Sequence, residues 1–245
     1  MGGVIRVGVS GAAGRMGLLT CEAVESTPDL ELSGRFAPGH GFDDVAALEG
    51  SDVIVEFARP DGVMANLARW RQMGPHVVVG TSGFDDARMR DLQEIWGNGP
   101  QRCLVVPNFS LGAVLMMSLA ERASPYFTAA EIVELHHDRK ADAPSGTALA
   151  LAARMKPAGN RASESKESVP GARGAEVGGV WVHSVRLPGL VAHHEVMLGN
   201  PGEVLTMRHD TNDRTAFVPG ILLSIRSVAD LEPGVSVGLE GLIGL

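Results

Sequence analysis

Val4-Ile5-Arg6-Val7-Gly8-Val9-Ser10-Gly11-Ala12-Ala13-Gly14-Arg15-Met16-Gly17 opens the chain with a β-rich run that ends in a glycine turn. Beyond the turn Met16, Leu19 and Ala23 recur at helical spacing, and Thr27-Pro28 ends the helix. Strand, glycine turn and helix in that order set the unpaired N–H groups and the positive end of a helix dipole where backbone can approach a pyrophosphate. A GxxGxxG run also serves helix–sheet packing with no ligand at all. Its place at the first strand–helix junction is what points to a dinucleotide.

Further along, Leu30 to Phe36 alternates, with Leu30, Leu32 and Phe36 on one face. Asp52 to Phe57, Val77 to Val79 and Cys103 to Val106 are short apolar runs of the kind that sit in a parallel sheet covered on both sides. Helical stretches from Asp61 to Met73 and from Asp85 to Ile95 separate them. Strands alternating with helices imply βαβ units and a doubly wound α/β sheet. After Asn108 the pattern changes. A helix over Gly112 to Ala123 leads to an alternating strand, Glu131 to His137, and the Gly/Ser/charge-rich stretch 157–179 predicts an exposed loop. Three strand candidates follow without helices between them: Val180 to Leu187, His193 to Leu198 and Val204 to His209. They predict an α+β domain with an open mixed or antiparallel sheet. The helical tail from Thr215 to Ala229 is expected to return to the first domain. The expected division is residues 1–107 completed by 215–245, and residues 108–214.

Composition narrows the classes. The 245 residues are 44% apolar and 20% charged, enough to bury a core. Glycine, 31 of 245, is near twice the usual ~7% and has no collagen period, so it marks tight turns and close backbone approaches. No run approaches the ~18 apolar residues of a membrane span, and Met1 to Ile5 leads into a strand rather than a signal peptide, so a cytoplasmic protein is expected. Cys21 and Cys103 lie far apart without a CxxC partner, so neither a disulfide framework nor a structural metal is indicated. A net charge of −8 argues against a nucleic-acid footprint but not against an anionic ligand, because a few local cations decide that.

The acidic residue that grips an adenosine ribose belongs near the end of the second strand. Phe36-Ala37-Pro38-Gly39 holds no carboxylate there, and Glu31 opens the strand at the wrong end. Arg35 either meets a 2′-phosphate or is an ordinary solvated strand residue. The choice between NADH and NADPH stays open on these residues.

A second cluster lies in the later domain. Ile132, Glu134 and His136 share one strand face, with Val133, Leu135 and His137 on the other. The loop His137-Asp138-Arg139-Lys140-Ala141-Asp142-Ala143-Pro144 then runs into Ser145-Gly146-Thr147, where Ser145 suits a helix N-cap and the next two N–H groups suit an anion. With Lys140 and a histidine beside it, this reads as a carboxylate-binding site with an acid–base group. The bland alternative is a surface loop with a good cap. A His-His-Asp metal site is disfavoured, because the strand splits the two histidines.

Together these segments resemble the 4-hydroxy-tetrahydrodipicolinate (dihydrodipicolinate) reductase family. The likeness spans nearly the whole chain: Gly11 to Gly17, Val55-Glu56-Phe57-Ala58-Arg59-Pro60, Val79 to Phe84, Pro107 to Gly112, and above all Glu134 to Ala148. Val185-Arg186, His194-Glu195 and Asp213 to Phe217 match later. The resemblance implies a Rossmann-type N-terminal domain completed by the C-terminal tail, and a central substrate-binding domain that builds homotetramers. It implies reduction of a cyclic imine dicarboxylate in diaminopimelate and lysine biosynthesis, with NADH or NADPH as cofactor. Gly11, Gly14, Arg15, Met16 and Gly17 match dinucleotide contacts, Gly80, Thr81 and Ser82 the nicotinamide end, and Pro107, Asn108 and Phe109 the segment closing over it. A hinge near Asn108 and Thr215 is expected. His136 matches the proton donor and Lys140 the second catalytic cation, while His137, Ser145, Gly146 and Thr147 match the groups that hold the substrate carboxylates. The departures are Ala37-Pro38, Arg139 where some members carry a third histidine, and Ser82 in place of a threonine. Two rivals stand beside this reading: another NAD(P)-dependent dehydrogenase of the same plan acting on an amino acid, and a non-catalytic nucleotide sensor, which has no need of the His-His…Lys…Ser-Gly-Thr series.

Overall fold

A computed structural model describes residues 3–159 and 166–245. It forms two compact units, one from the chain up to Leu111 together with Phe217–Leu245, the other from Gly112–Ala216. In chain order the first contains β1 (Ile5–Ser10), α1 (Arg15–Glu25), β2 (Leu30–Phe36), β3 (Val53–Glu56), α2 (Val63–Met73), β4 (His76–Val79), α3 (Asp86–Trp96) and β5 (Arg102–Val105). Next come α4 (Leu111–Ala123), β6 (Ala129–His136), α5 (Gly146–Arg154), β7 (Ala175–Val177), β8 (Val180–Arg186), β9 (Ala192–Asn200) and β10 (Glu203–Thr211). The chain then re-enters the first unit with α6 (Val218–Ser227) and β11 (Gly234–Val237).

The first unit is a six-stranded sheet in the order β11-β5-β4-β3-β1-β2, parallel throughout. β3 and β4 lie at its centre, which is why Val53 to Val55 and Val77 to Val79 are buried without alternation. Trp70 and Trp96, on α2 and α3, fill one side with Leu67 and Leu92, and the Phe36 ring meets Trp70 edge-on at 5.7 Å between centroids. Such a pair adds ~1 kcal/mol to its area burial. Cys21 and Cys103 are buried and unpaired. The strand order reverses between β1 and β3, so the loops after these two strands flank the crevice where ligands of open α/β sheets bind.

The second unit is an open mixed sheet in the order β10-β9-β6-β8-β7, with only β6 and β8 parallel. Ile132, Val180, Val182, Val196 and Leu198 pack against Met116, Met117 and Ala120 of α4 and Ala148, Leu151 and Ala152 of α5. On the opposite face Val133, Leu135, Trp181 and Met197 are only half-buried.

Two expectations need correction. The stretch 157–179 is not loop throughout: Ala175–Val177 is a strand paired with β8 through Val177 and Val180. Gly178 and Gly179 both take positive φ, 60° and 85°, the pattern of a two-residue hairpin turn that only glycine adopts at low cost. Residues 160–165 of that stretch lie outside the described residues. The tail also does more than supply a helix, because β11 adds a sixth strand beside β5, with Gly234 opposite Arg102 and Val237 opposite Val105.

Candidate active site

The glycine turn sits at the crevice between β1 and β3. Gly11 has φ +76°, and a Cβ there would lie 2.5 Å from the carbonyl carbon of Phe57, so the turn rests directly on the loop after β3. Gly14 is the N-cap of α1 and provides no side-chain cap. The first intrahelical bond runs from Leu18 N–H to the Gly14 carbonyl, 2.9 Å, so the N–H groups of Arg15, Met16 and Gly17 have no partner inside the helix. Gly14 and Arg15 are exposed, Met16 is half-buried and Gly17 is buried. Gly17 serves close approach: its Cβ would fall 2.1 Å from the Gly11 carbonyl oxygen. This is a cradle that backbone alone can line, and it fits the diphosphate of a dinucleotide.

The loop after β4 is braced against the loop after β3. Gly80 donates its N–H to the Glu56 carbonyl at 2.9 Å, and the Thr81 hydroxyl donates to the Ala58 carbonyl at 2.8 Å. A Cβ on Gly80 would strike the rings of Phe57 and Phe109. Those rings lie 5.7 Å apart, and Phe109 is buried, so its ring is part of the wall rather than an exposed surface. Ser82 and Pro107 are exposed, and the Asn108 side chain accepts the Ser110 N–H at 2.9 Å. Beneath both loops lies Glu56, to which the sequence motifs attach no role. Its buried carboxylate accepts from Ala58 N–H at 2.6 Å, from the Trp70 indole at 2.7 Å and from Asn66 at 3.2 Å. Burial pushes this carboxyl upward, against those hydrogen bonds. Arg35 is engaged as well: it pairs with Glu25 at 2.7 Å and lies 6.0 Å from the centre of the Phe42 ring.

In the second unit β6 alternates as expected, with Ile132, Glu134 and His136 buried. His136 Nδ1 lies 2.5 Å from Glu134 Oε2. Arg186, at the end of β8, donates to both Glu134 oxygens at 2.8 and 2.9 Å and to the Asp142 carbonyl at 2.6 Å. The Ser145 N–H reaches Glu134 Oε1 at 3.2 Å. Burial works to raise the Glu134 carboxyl, but Arg186 and its other partners outweigh it and hold the group below the usual range. For His136 burial dominates and lowers the imidazole, with Glu134 opposing and Lys140 and Arg186 assisting.

His194, on β9, stands edge-on to His136 at 5.4 Å between ring centroids. Burial, with the His136 ring next to it, pushes His194 down to about 4. Its Nε2 lies 3.4 Å from the Ser145 hydroxyl. That hydroxyl also accepts the Ala148 N–H at 3.2 Å, so Ser145 is a buried N-cap. The next residues are different. Gly146 is exposed with nothing within 4 Å of a built Cβ, and Thr147 is half-buried, so the first turn of α5 opens onto space. Lys140 lies in the same loop, but its Nζ is paired with Asp142 at 2.7 and 2.9 Å. His137, just past β6, is half-buried. The expected cluster of His136, Lys140, Ser145, Gly146 and Thr147 is therefore brought to one end of the sheet. Glu134, Arg186, Asp142 and His194 join it. Among the described residues no three His, Cys, Asp or Glu side chains converge as metal ligands.

The chain matches the family models described as dihydrodipicolinate reductase, N-terminus, over residues 5–109, and dihydrodipicolinate reductase, C-terminus, over residues 112–243. It is 49% identical over 249 residues to the 4-hydroxy-tetrahydrodipicolinate reductase of Cutibacterium acnes, covering 99% of this chain and 100% of that one. Identity to the reductase of the same name from Thermobifida fusca is 47%, over 99% of this chain and 100% of the relative. Among solved structures, a dipicolinate-bound dihydrodipicolinate reductase from Paenisporosarcina sp. TG-14 superposes with a TM-score of 0.88 at 33% identity, covering 97% of this chain and 99% of that one.

Proposed function

The chain belongs to the dihydrodipicolinate reductase family, and on that premise we propose that it reduces 4-hydroxy-tetrahydrodipicolinate to tetrahydrodipicolinate with NAD(P)H in diaminopimelate and lysine biosynthesis. The observation that supports this most directly is the shared carboxylate of Glu134, which bonds both the His136 ring and the N–H of Ser145 at the start of α5. One carboxylate thus ties an acid–base group to an anion cradle.

The N-terminal unit serves as the dinucleotide-binding domain and the central unit as the substrate-binding domain. Gly11, Gly14, Arg15, Met16 and Gly17 line the diphosphate cradle, with Gly17 acting through close packing. Gly80, Thr81, Ser82, Pro107, Asn108 and Phe109 form the nicotinamide end, where Thr81 and Phe109 shape the wall and the exposed Ser82 and Pro107 face the ligand. When bound, the reduced nicotinamide supplies a hydride to C4 of the cyclic unsaturated imine. The Gly146 and Thr147 N–H groups, with Lys140, His137 and the Ser145 cap, hold the two carboxylates. The 4-hydroxyl leaves as water to give that imine, and His136 delivers a proton, directly or through water, to the enamine carbon that results from the hydride, so one hydride and one proton are added and one water is lost in all.

Both nicotinamides serve as reductant. Residues 36–39 carry no carboxylate to repel a 2′-phosphate, and Arg35 is occupied by Glu25 rather than extended toward one. The half-buried face of the second sheet, with Val133, Leu135, Trp181 and Met197, is the surface through which the chain assembles as a homotetramer. Among the described residues no helix is long and apolar enough to cross a membrane, and the reaction is assigned to the cytoplasm.

Turnover of synthetic substrate, with NADH and NADPH titrated separately, tests the reading. Reduction with both, at kcat/KM values within about tenfold of each other, is the expected result. Loss of turnover in folded His136→Gln and Lys140→Ala variants would support the roles given, and unchanged turnover in both would remove them. Dinucleotide binding without reduction would favour an amino-acid dehydrogenase instead. Light scattering at about four times the chain mass tests the tetramer.

A further inference from the structure

Glu134 is fully buried, yet it receives two hydrogen bonds from Arg186 on β8, one from the Ser145 N–H at the head of α5 and one from His136 on its own strand, with the Ser184 hydroxyl of β8 a further partner. An ionised carboxylate only accepts. The 2.5 Å contact therefore requires the proton on His136 Nδ1, which leaves Nε2 as the nitrogen that exchanges protons. A lone buried carboxylate at that distance would hold the imidazole permanently charged. Arg186 prevents this by taking both carboxylate oxygens in a planar fork. The other charged or titratable groups around the ring are Lys140 with Asp142 from the following loop, and His194 from β9.

Resting on the reduction proposed above, we propose that Glu134, clamped by Arg186, is a positioning residue for the reaction. It sets His136 in the Nδ1–H tautomer and holds the ring in fixed register with the helix start that cradles the substrate carboxylate. Arg186 contributes by tying β8 to the Asp142 carbonyl, so the 137–145 loop, the strand end and the helix start move as one piece. The pattern is that of an orienting carboxylate behind an acid–base histidine, here with its charge balanced by a guanidinium.

The first test needs no substitution at Glu134. Histidine side-chain nitrogen NMR of the ¹⁵N-labelled protein, assigned with His136→Gln, is expected to show His136 with its proton on Nδ1 at neutral pH. A proton on Nε2 overturns the proposal. The second test uses Glu134→Gln and Arg186→Lys. In Glu134→Gln, dipicolinate binding is expected within about threefold of the parent, while kcat falls on the order of 100-fold. The high-pH limb of kcat/KM, where the donor His136 loses its proton, moves to lower pH, because Arg186 then acts on the imidazole uncompensated. Arg186→Lys keeps the charge without the fork and is expected to lose about tenfold in kcat. Values of kcat within threefold in both variants, or a loss of dipicolinate binding as large as the loss of kcat with an unmoved pH profile, overturn the positioning role. Failure of the unsubstituted protein to reduce the substrate would instead remove the reaction itself, and the NMR result would still decide the tautomer.

Discussion

Lys140 and Asp142 form a two-point ion pair, with the ammonium 2.7 and 2.9 Å from the two carboxylate oxygens. The pair is local, two residues apart, and Asp142 is more than half exposed while Lys140 is not. Its geometry occupies the cation that the proposed substrate needs. A dianionic ligand arriving at Lys140 must compete with a carboxylate already in place, and Lys140 holds that carboxyl below its usual range.

Removal of this competitor gives the first prediction. Asp142→Asn is expected to tighten dipicolinate binding about three- to tenfold at low ionic strength, an exposed-pair effect of ~1 kcal/mol. The gain should fade in 0.5 M salt, since the Debye length there is only several ångström. Calorimetric titration at two salt concentrations checks it, and equal affinities in parent and variant would show that Asp142 does not contest the site.

Gly146 offers a cleaner probe of the anion cradle. No protein atom lies within 4 Å of a built Cβ, and alanine suits a first helical turn better than glycine by ~0.5–1 kcal/mol. Gly146→Ala should therefore keep or slightly raise thermal stability. A methyl at that place meets only a bound ligand, so KM for the substrate should rise on the order of tenfold. Matched melting curves and steady-state kinetics separate the two effects.

Gly17 makes the opposite prediction. A Cβ would stand 2.1 Å from the Gly11 carbonyl oxygen and 2.7 Å from the Ala12 Cα, both backbone atoms, so the helix must shift away from the turn. Gly17→Ala is expected to cost about 1–3 kcal/mol of stability and to weaken dinucleotide binding more than tenfold. Denaturant titration with and without NADH measures both. A variant of parental stability and affinity would mean that the turn yields freely.

His194 predicts a stability profile. Its imidazole is held near 4 in the folded chain against about 6.5 when unfolded. The unfolded state therefore binds the extra proton between those values, so the His194 contribution is fully present above pH 6.5 and disappears as pH falls toward 4. Between pH 7 and pH 4.5 that difference is worth about 2–3 kcal/mol. His194→Gln should flatten the fall in unfolding free energy between pH 7 and pH 4.5 by that amount, as read from urea curves. An identical slope in parent and variant would place the acid sensitivity elsewhere.

Much of this architecture is legible in local sequence, for identifiable reasons. The central strands β3 and β4 are uninterrupted apolar runs because both faces are covered, and β6 shows its buried face by alternation. Periodicity fails where a strand is made by its partner. β7 is three residues inside a polar stretch, and β11 is a four-residue edge whose only definition is its register with β5, some 130 positions earlier. The site divides the same way. His136, Lys140 and the Ser145 cap lie within ten residues and announce themselves by type and spacing. Glu134 reads as an unremarkable member of a strand pattern, because the guanidinium that permits its burial comes from Arg186, 52 residues on. Glu56 stays silent for the same reason, since Trp70 and Asn66 reach it from the next helix.

The late arrival of β11 has a consequence for biosynthesis on the ribosome. Every strand of the five-stranded sheet lies between Ala129 and Thr211, so all of its pairing partners leave the exit tunnel before α6 does. The six-stranded sheet begins with Ile5 yet stays open along β5 until Gly234–Val237 emerges. The nascent chain thus carries the β5 edge unpaired while more than a hundred further residues are made, and β11 covers it only afterwards.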